Sequence, residues 1–127
     1  MVQFKFDSNG LIPAVVQDRK SRKVLMVAYV NRRAIRKMLA LGKTCFYSRS
    51  RQVYWIKGET SGHIQRIKRI TTDCDRDALL IEVDQVGGAC HLGYQSCFVH
   101  QLNSKGKLKR VTQKKVFDPK LVYLRQS

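Results

Sequence analysis

The sequence predicts a mostly β, α+β fold in which twisted antiparallel strands carry one main helix. Short apolar runs of strand length, separated by polar turns, recur from Leu11 to Val83. One stretch breaks that pattern, its apolar residues recurring at about 3.6-residue spacing between a start signal and a stop signal. No internal repeat or low-complexity segment interrupts the 127 residues, which suffice for a single domain, 1–127, around one core.

The first two runs, Leu11–Gln17 and Val24–Val30, flank the polar Asp18–Lys23 (DRKSRK) and predict a hairpin. Asn31 then offers a side-chain oxygen to the first turn of a helix. Ala34, Ile35, Met38 and Leu39 supply its apolar face, and Gly42 stops it, because glycine tolerates the left-handed backbone that closes a helix. Thr44–Ser48 and Val53–Ile56 follow as strands. Ile64, Ile67 and Ile70 are spaced by three, which fits a strand poorly, but the β-branched Thr71 and Thr72 tip the segment towards strand. Leu79, Ile81 and Val83 alternate with Leu80, Glu82 and Asp84, the pattern of a strand with one buried face. Residues 103–127 read as a polar, basic tail, with Asn103–Gly106 a loop before Leu108–Phe117.

Met1–Gly10 carries no apolar core of an export signal, and no run approaches the ~18 apolar residues of a membrane span. The expectation is a soluble, cytoplasmic protein without membrane attachment. Its four cysteines are then thiols or metal ligands rather than disulfides.

The formal net charge is +16 and unevenly placed. Between Arg19 and Thr72 fifteen Lys/Arg face one acid, Glu59, and from Lys105 onward eight Lys/Arg face Asp118 alone. Such a surface attracts phosphorylated partners, whether a small nucleotide, RNA or DNA. Five of the nine acidic residues sit between Asp73 and Asp84, in the same stretch that holds three of the cysteines. If that backbone is extended, Asp73, Asp75 and Asp77 share one side and repel one another. Either nearby Lys/Arg or a divalent ion bound through oxygen, such as Mg²⁺, offsets the repulsion. Cys74, Cys90 and Cys97 offer thiolates to a softer ion, zinc foremost. Separations of 15 and 6 residues and a count of three depart from the closed four-ligand knuckle. Three ligands leave one position open for water, which suits hydrolysis. The alternative is three small buried apolar residues and a solvated acidic turn.

Further candidates flank this stretch. Arg49 and Arg51 lie two apart, so on a strand both reach one phosphate. Lys57 precedes the glycine-bracketed Gly58-Glu59-Thr60-Ser61-Gly62-His63, a loop that brings backbone N–H groups close to a ligand. Glu59 can contact a metal, a ribose or an arginine. His91 follows Cys90 and is placed to act as general base beside a metal, with His63 as the alternative. His100 reads as a packed or surface residue, and Cys45, between Thr44 and Phe46, as a buried thiol.

The run TDCDRDALL, preceded by SRSRQVYWIKGETSGHIQ and followed by ACHLGYQSCF, resembles the phosphoribosyl-AMP cyclohydrolases of histidine biosynthesis. The likeness covers about residues 10–98, including NRRAI after an apolar strand. It implies a zinc- and Mg²⁺-dependent enzyme that adds water at adenine C6 and opens the N1–C6 bond. It places the KGE and SGH segments, with Arg49, Arg51, Lys57, Glu59, Ser61 and Gly62, at the nucleotide. It also implies an intertwined homodimer whose zinc takes Cys74 from one subunit and Cys90 with Cys97 from the other. The pyrophosphohydrolase domain fused in some relatives is expected to be missing. The chain departs from the family pattern where Leu92 replaces a threonine, where Gln95 replaces an arginine, and where the strand before NRRAI ends in Tyr29-Val30 instead of the usual methionine. The rival readings are a basic nucleic-acid-binding protein stapled by a structural zinc, and a cyclohydrolase scaffold retained without catalysis. Alternate aspartates speak against the first, since they repel phosphate unless a cation covers them.

Overall fold

The computed structural model describes residues 2–111 and 113–123. Strands β1 (Ile12–Asp18) and β2 (Val24–Val30) form the expected hairpin. Helix α1 (Arg32–Leu41) follows, then the hairpin of β3 (Cys45–Ser48) and β4 (Val53–Ile56). A second pair, β5 (Gln65–Thr72) and β6 (Leu79–Gln85), joins the first hairpin in a four-stranded sheet of order β2-β1-β6-β5. The small hairpin β7 (His100–Leu102) with β8 (Leu108–Arg110) and the short helix α2 (Pro119–Tyr123) complete the described chain. The result is mostly β, and its ladders are antiparallel except at the centre, where β1 and β6 run parallel.

The helix signals act as expected. Asn31 Oδ1 accepts from the Ala34 N–H at 2.9 Å, and Gly42, at φ 69°, donates its N–H to the Met38 carbonyl at 2.9 Å. Ala34, Ile35 and Met38 bury against the sheet and β3. Leu39 does not, being 64% exposed, because the apolar contact is narrower than the sequence suggests. No acid serves the helix N-terminus, and its arginines rest on rings instead, Arg32 on Phe6 and Arg33 on Tyr54 at 5.3 Å each.

One sheet face forms the core: Ile12, Ala14 and Val16 of β1 lie beside Val30, Ala28 and Met26 of β2 and Leu79, Ile81 and Val83 of β6. Phe46 and Cys45 of β3 close it, and burial pushes the Cys45 thiol up. The three-residue spacing of Ile67 and Ile70 has a structural cause. Between Ile67 and Arg69 the β5 register shifts, and this bulge inserts Lys68. Ile67 therefore pairs with Val83 and Ile70 with Ile81, both on the core side. In an unbulged strand two residues three apart would face opposite ways.

The other face holds a correction. Glu82 alternates as a solvent-facing residue yet is only 3% exposed. The bulge sets Arg69 opposite it, so Arg69 pairs with one carboxylate oxygen and Arg22 Nη1 with the other at 3.0 Å. The hydrogen bond from Arg69, aided by the charge of Arg22, holds Glu82 below the usual carboxylate range against the opposing effect of burial. A depressed folded-state pKa stabilises the protein above the unfolded value of about 4.3, and the contribution disappears as pH falls through the folded value. Glu82→Gln is expected to unfold at lower denaturant than the parent at pH 7. The difference should shrink as the pH drops below about 4, read by urea titrations across pH.

Candidate functional site

Strand β6 delivers chemistry at both ends. At its N-terminal end the chain from Asp73 to Ala78 is a tight turn, not the extended run that alternation suggests. Asp73 N–H bonds the Ala78 carbonyl at 3.3 Å, Arg76 N–H the Asp73 carbonyl at 3.1 Å, and Asp77 N–H reaches Asp73 Oδ1 at 3.0 Å. Arg76 takes φ 60° to close it. The expected convergence of Asp73, Asp75 and Asp77 is present, with one oxygen from each within 4.8 Å of the others, but folding of the turn causes it. The hydrogen bond they share pulls Asp73 down and pushes Asp77 up, and the charges of Asp73 and Asp75 push Asp77 further. A cation held here would relieve the same repulsion. Three exposed carboxylates suit a hard ion that keeps several waters.

The C-terminal end of β6 leads through Gly87 and Gly88 into the cysteine loop. Cys90 N–H bonds the Tyr94 carbonyl and Gly93 N–H the Cys90 carbonyl, both at 3.0 Å, so Cys90–Tyr94 is a closed turn with His91 exposed on it. Cys97 docks on β2 through its N–H to the Leu25 carbonyl at 2.7 Å. The thiols of Cys90 and Cys97 are near enough to act on each other electrostatically. Desolvation is the largest influence on Cys97 and raises its pKa, Cys90 adds to it, and Lys57 opposes it. A cation of charge two at this pair would reverse that balance and favour thiolates.

Lys57 is the hub of this end. Its ammonium donates to the Ala89 carbonyl at 2.7 Å, next to Cys90, and lies 5.9 Å from the Trp55 ring. Burial lowers its pKa, while Cys97 and Cys90 pull the other way. His63 is half-buried with its ring 4.3 Å from that of Phe117, and its Nδ1 is buried without a hydrogen-bond partner. Burial first and Lys57 second lower its pKa, keeping the imidazole neutral near pH 7. Two glycines make room. A Cβ on Gly87 would stand 2.6 Å from the His63 ring, and one on Gly58 would stand 2.3 Å from the His63 carbonyl carbon.

A chain of buried amides fixes this loop. Thr44 Oγ1 donates to Gln65 Oε1 at 2.8 Å, and Gln65 Nε2 donates to Gln85 Oε1 at 2.8 Å. Gln85 Nε2 in turn reaches the carbonyls of His63 at 3.2 Å and Val86 at 2.8 Å. The position of His63 is thereby tied to the β3–β4 hairpin.

Lys57 also lines a cavity of about 580 Å³ with Arg51, Trp55, Glu59 and Ser61. Gly58 belongs to its wall, whereas Gly62, which closes the turn through its N–H to the Gly58 carbonyl at 2.7 Å, does not. Arg49 and Arg51 lie in the turn after β3 rather than on the strand, so strand periodicity does not align them. His100 is exposed on β7.

The structure thus joins Cys90, Cys97, Lys57 and His63, and separates Cys74 from them. Cys74 sits in the acidic turn, and among the described residues no group of three metal-ligating side chains unites it with Cys90 and Cys97. Seven residues of β6, roughly 20 Å at strand rise, stand between the two ends. Trp55 of the cavity and Phe117 beside His63 are not among the site residues read from the sequence, where Trp55 counts only as part of the strand Val53–Ile56. Phe117 lies in the stretch read as tail, which returns through Val116 N–H to the Gly93 carbonyl at 2.7 Å.

Thiols beside a basic cavity, with a cluster of carboxylates at the opposite end of β6, are marks of a metallohydrolase that takes a phosphorylated small molecule. A family model described as phosphoribosyl-AMP cyclohydrolase matches residues 26–99, more than half of the chain. The chain belongs to the phosphoribosyl-AMP cyclohydrolase family. It is 53% identical over 119 residues to the phosphoribosyl-AMP cyclohydrolase of Pelotomaculum thermopropionicum, covering 94% of this chain and 92% of the relative. It is 58% identical over 115 residues to that of Methanosarcina acetivorans, covering 91% and 92%. A histidine biosynthesis bifunctional protein of Thermoanaerobacter pseudethanolicus is 50% identical over 121 residues, which span 95% of this chain and 55% of that protein.

At φ 84°, Gly58 has neither the conformation nor the space for a side chain. Gly58→Ala is expected to cost about 1–3 kcal/mol of stability by thermal denaturation. It should also shift the His63 imidazole resonances, because its Cβ meets the His63 backbone.

Proposed function

We propose that this chain hydrolyses phosphoribosyl-AMP, opening the adenine N1–C6 bond to give the phosphoribosyl-formimino-carboxamide product of histidine biosynthesis. The observation that carries the reading is Lys57. It lines the basic cavity and lies against the Cys90–Cys97 pair, so ligand space and metal donors are contiguous. Family membership supplies the substrate.

Cys90, Cys97 and a Cys74 would hold zinc. Zinc, when bound, supplies the Lewis acidity that makes water nucleophilic at neutral pH. Because Cys74 lies at the far end of β6, the third thiol is that of Cys74 of the partner subunit, in a homodimer with two equivalent shared sites. The sheet face away from α1 suits a second copy, since Val27, 47% exposed, Val15 and Leu80 make an apolar cross-strand row on it. Asp73, Asp75 and Asp77 would hold Mg²⁺, which would supply a hard positive charge for substrate oxygens. Arg51 and Lys57 bind phosphate, Ser61 and Glu59 the neighbouring ribose, and the Gly58–Gly62 turn backs them. His91, on the Cys90 turn, takes the proton from the attacking water. A second reading gives that role to His63, favoured by its neutral, unpartnered Nδ1. The site works in the cytoplasm on a soluble substrate, and no described helix is long and apolar enough to cross a membrane.

Turnover of phosphoribosyl-AMP, followed by ultraviolet absorbance on protein of counted metal content, tests the reading. Activity should disappear with a zinc chelator and return with zinc. Cys90→Ala and Cys97→Ala should lose metal and activity together, whereas Asp75→Asn should keep zinc and lose Mg²⁺-dependent turnover. His91→Ala should keep zinc and slow by roughly 10²–10⁴-fold. An unchanged pH–rate profile in that variant, with a lost acidic limb in His63→Ala, would move the general base to His63.

The shared site makes its own forecast. Cys74→Ala and Cys97→Ala homodimers should each be inactive. Mixing and reassociating them should restore about a quarter of the parental sites, because half the dimers are then mixed and each carries one intact site. No recovery in dimers shown by mass to be mixed would place all three thiols in one subunit.

A further inference from the structure

Arg49 and Arg51 are two residues apart, but they line different spaces. Arg51 lines the cavity that holds Lys57. Arg49 lines a second cavity of about 520 Å³ with Tyr29 and Tyr47, and its guanidinium lies over the Tyr29 ring at 3.9 Å. Ser48, Ser50 and Trp55 line both, so the cavities are neighbours across a shared wall. The divergence comes from the turn: Gln52 N–H bonds the Ser48 carbonyl at 2.8 Å with Gln52 at φ 54°, which curls the backbone carrying both arginines.

Neither arginine is occupied by an acid. Among the described residues the ion pairs of Glu82 and Asp84 fall to Arg19, Arg22, Lys68 and Arg69. A guanidinium stacked on a ring is held in place and keeps its in-plane N–H groups for a bidentate hydrogen bond to phosphate. Trp55 joins the two cavities, and it lies 5.9 Å from the Lys57 ammonium that neighbours the thiols.

We infer that the two cavities take the two phosphorylated arms of one substrate, Arg51 with Lys57 holding one phosphate and Arg49, braced on Tyr29, the other. Selection for a nucleotide with two phosphoribosyl groups is then built from two subsites, each with one arginine. The inference rests on the substrate named above and adds how that substrate is measured.

AMP carries one of the two arms and separates the possibilities. The dissociation constant for AMP by calorimetry and the KM for phosphoribosyl-AMP by turnover, or its dissociation constant where there is no turnover, are compared on the metal-loaded protein for the parent, Arg49→Gln and Arg51→Gln. Each substitution should weaken phosphoribosyl-AMP by about tenfold or more. Only one of them should weaken AMP by a similar factor, the other leaving AMP within about twofold of the parent. Equal weakening of AMP by both would mean that they share one phosphate, and the inference falls. It falls equally if neither substitution affects phosphoribosyl-AMP. Both side chains are exposed and free of structural partners apart from the Tyr29 ring. Arg49→Lys, which keeps a cation, should recover part of the affinity lost in Arg49→Gln. A parent protein that binds both nucleotides with the expected split but does not turn over phosphoribosyl-AMP would overturn the proposed reaction and leave the two-arm reading standing.

Discussion

Backbone pairing on both edges of β6 is the constraint on which the rest depends. Its ladder to β1 and its ladder to β5 hold seven residues straight through the sheet. The acidic turn enters at one end and the thiol loop leaves at the other. Hard and soft donors are therefore kept apart by a rigid element whose length cannot be shortened by side-chain rotation. The proposed shared site would bring them together through a second copy, for which the apolar row of Val27, Val15 and Leu80 offers a surface.

Electrostatics follows that division. The acids near β6 are committed: Glu82 lies between Arg22 and Arg69, Asp84 takes Arg19 and Lys68, and Asp73 accepts from the Asp77 N–H in the turn. Glu59 is the acid left at the cavity that Arg51 and Lys57 line. Of the many cations in a chain of net charge +16, Arg51 and Lys57 at this cavity have no acid paired to them among the described residues.

Much of the architecture was legible in local signals, because caps and hairpin turns are decided by neighbours in sequence. Asn31 and Gly42 bound their helix for reasons contained in the helix itself. The strands from Leu11 to Asp84 and the buried Cys45 were readable in the same way. Features set by a distant strand were not. The Lys68 bulge depends on β6, so the spacing of Ile67 and Ile70 looked ambiguous and Glu82 looked exposed. The aspartates converge as read, but through a turn that alternation could not reveal. Cys74, Cys90 and Cys97 look equivalent in sequence, since nothing local records which end of a strand each will occupy. The Thr44–Gln65–Gln85 chain is likewise silent: glutamine gives no periodic signal, and its burial is known only when β3, β5 and β6 are assembled.

The parallel pairing of β1 with β6 also bears on how the chain emerges and folds. About sixty residues separate Asp18 from Leu79, and no hairpin can join parallel neighbours. While those residues are being synthesised, the β1–β2 hairpin has one edge without its final neighbour. It is a long-range closure, of the kind that slows folding relative to hairpins and helices. An open, apolar edge of this sort is vulnerable to pairing with another nascent chain. The nine positively charged side chains between Arg19 and Lys43 separate in that interval by mutual repulsion, keeping like chains apart until β6 arrives.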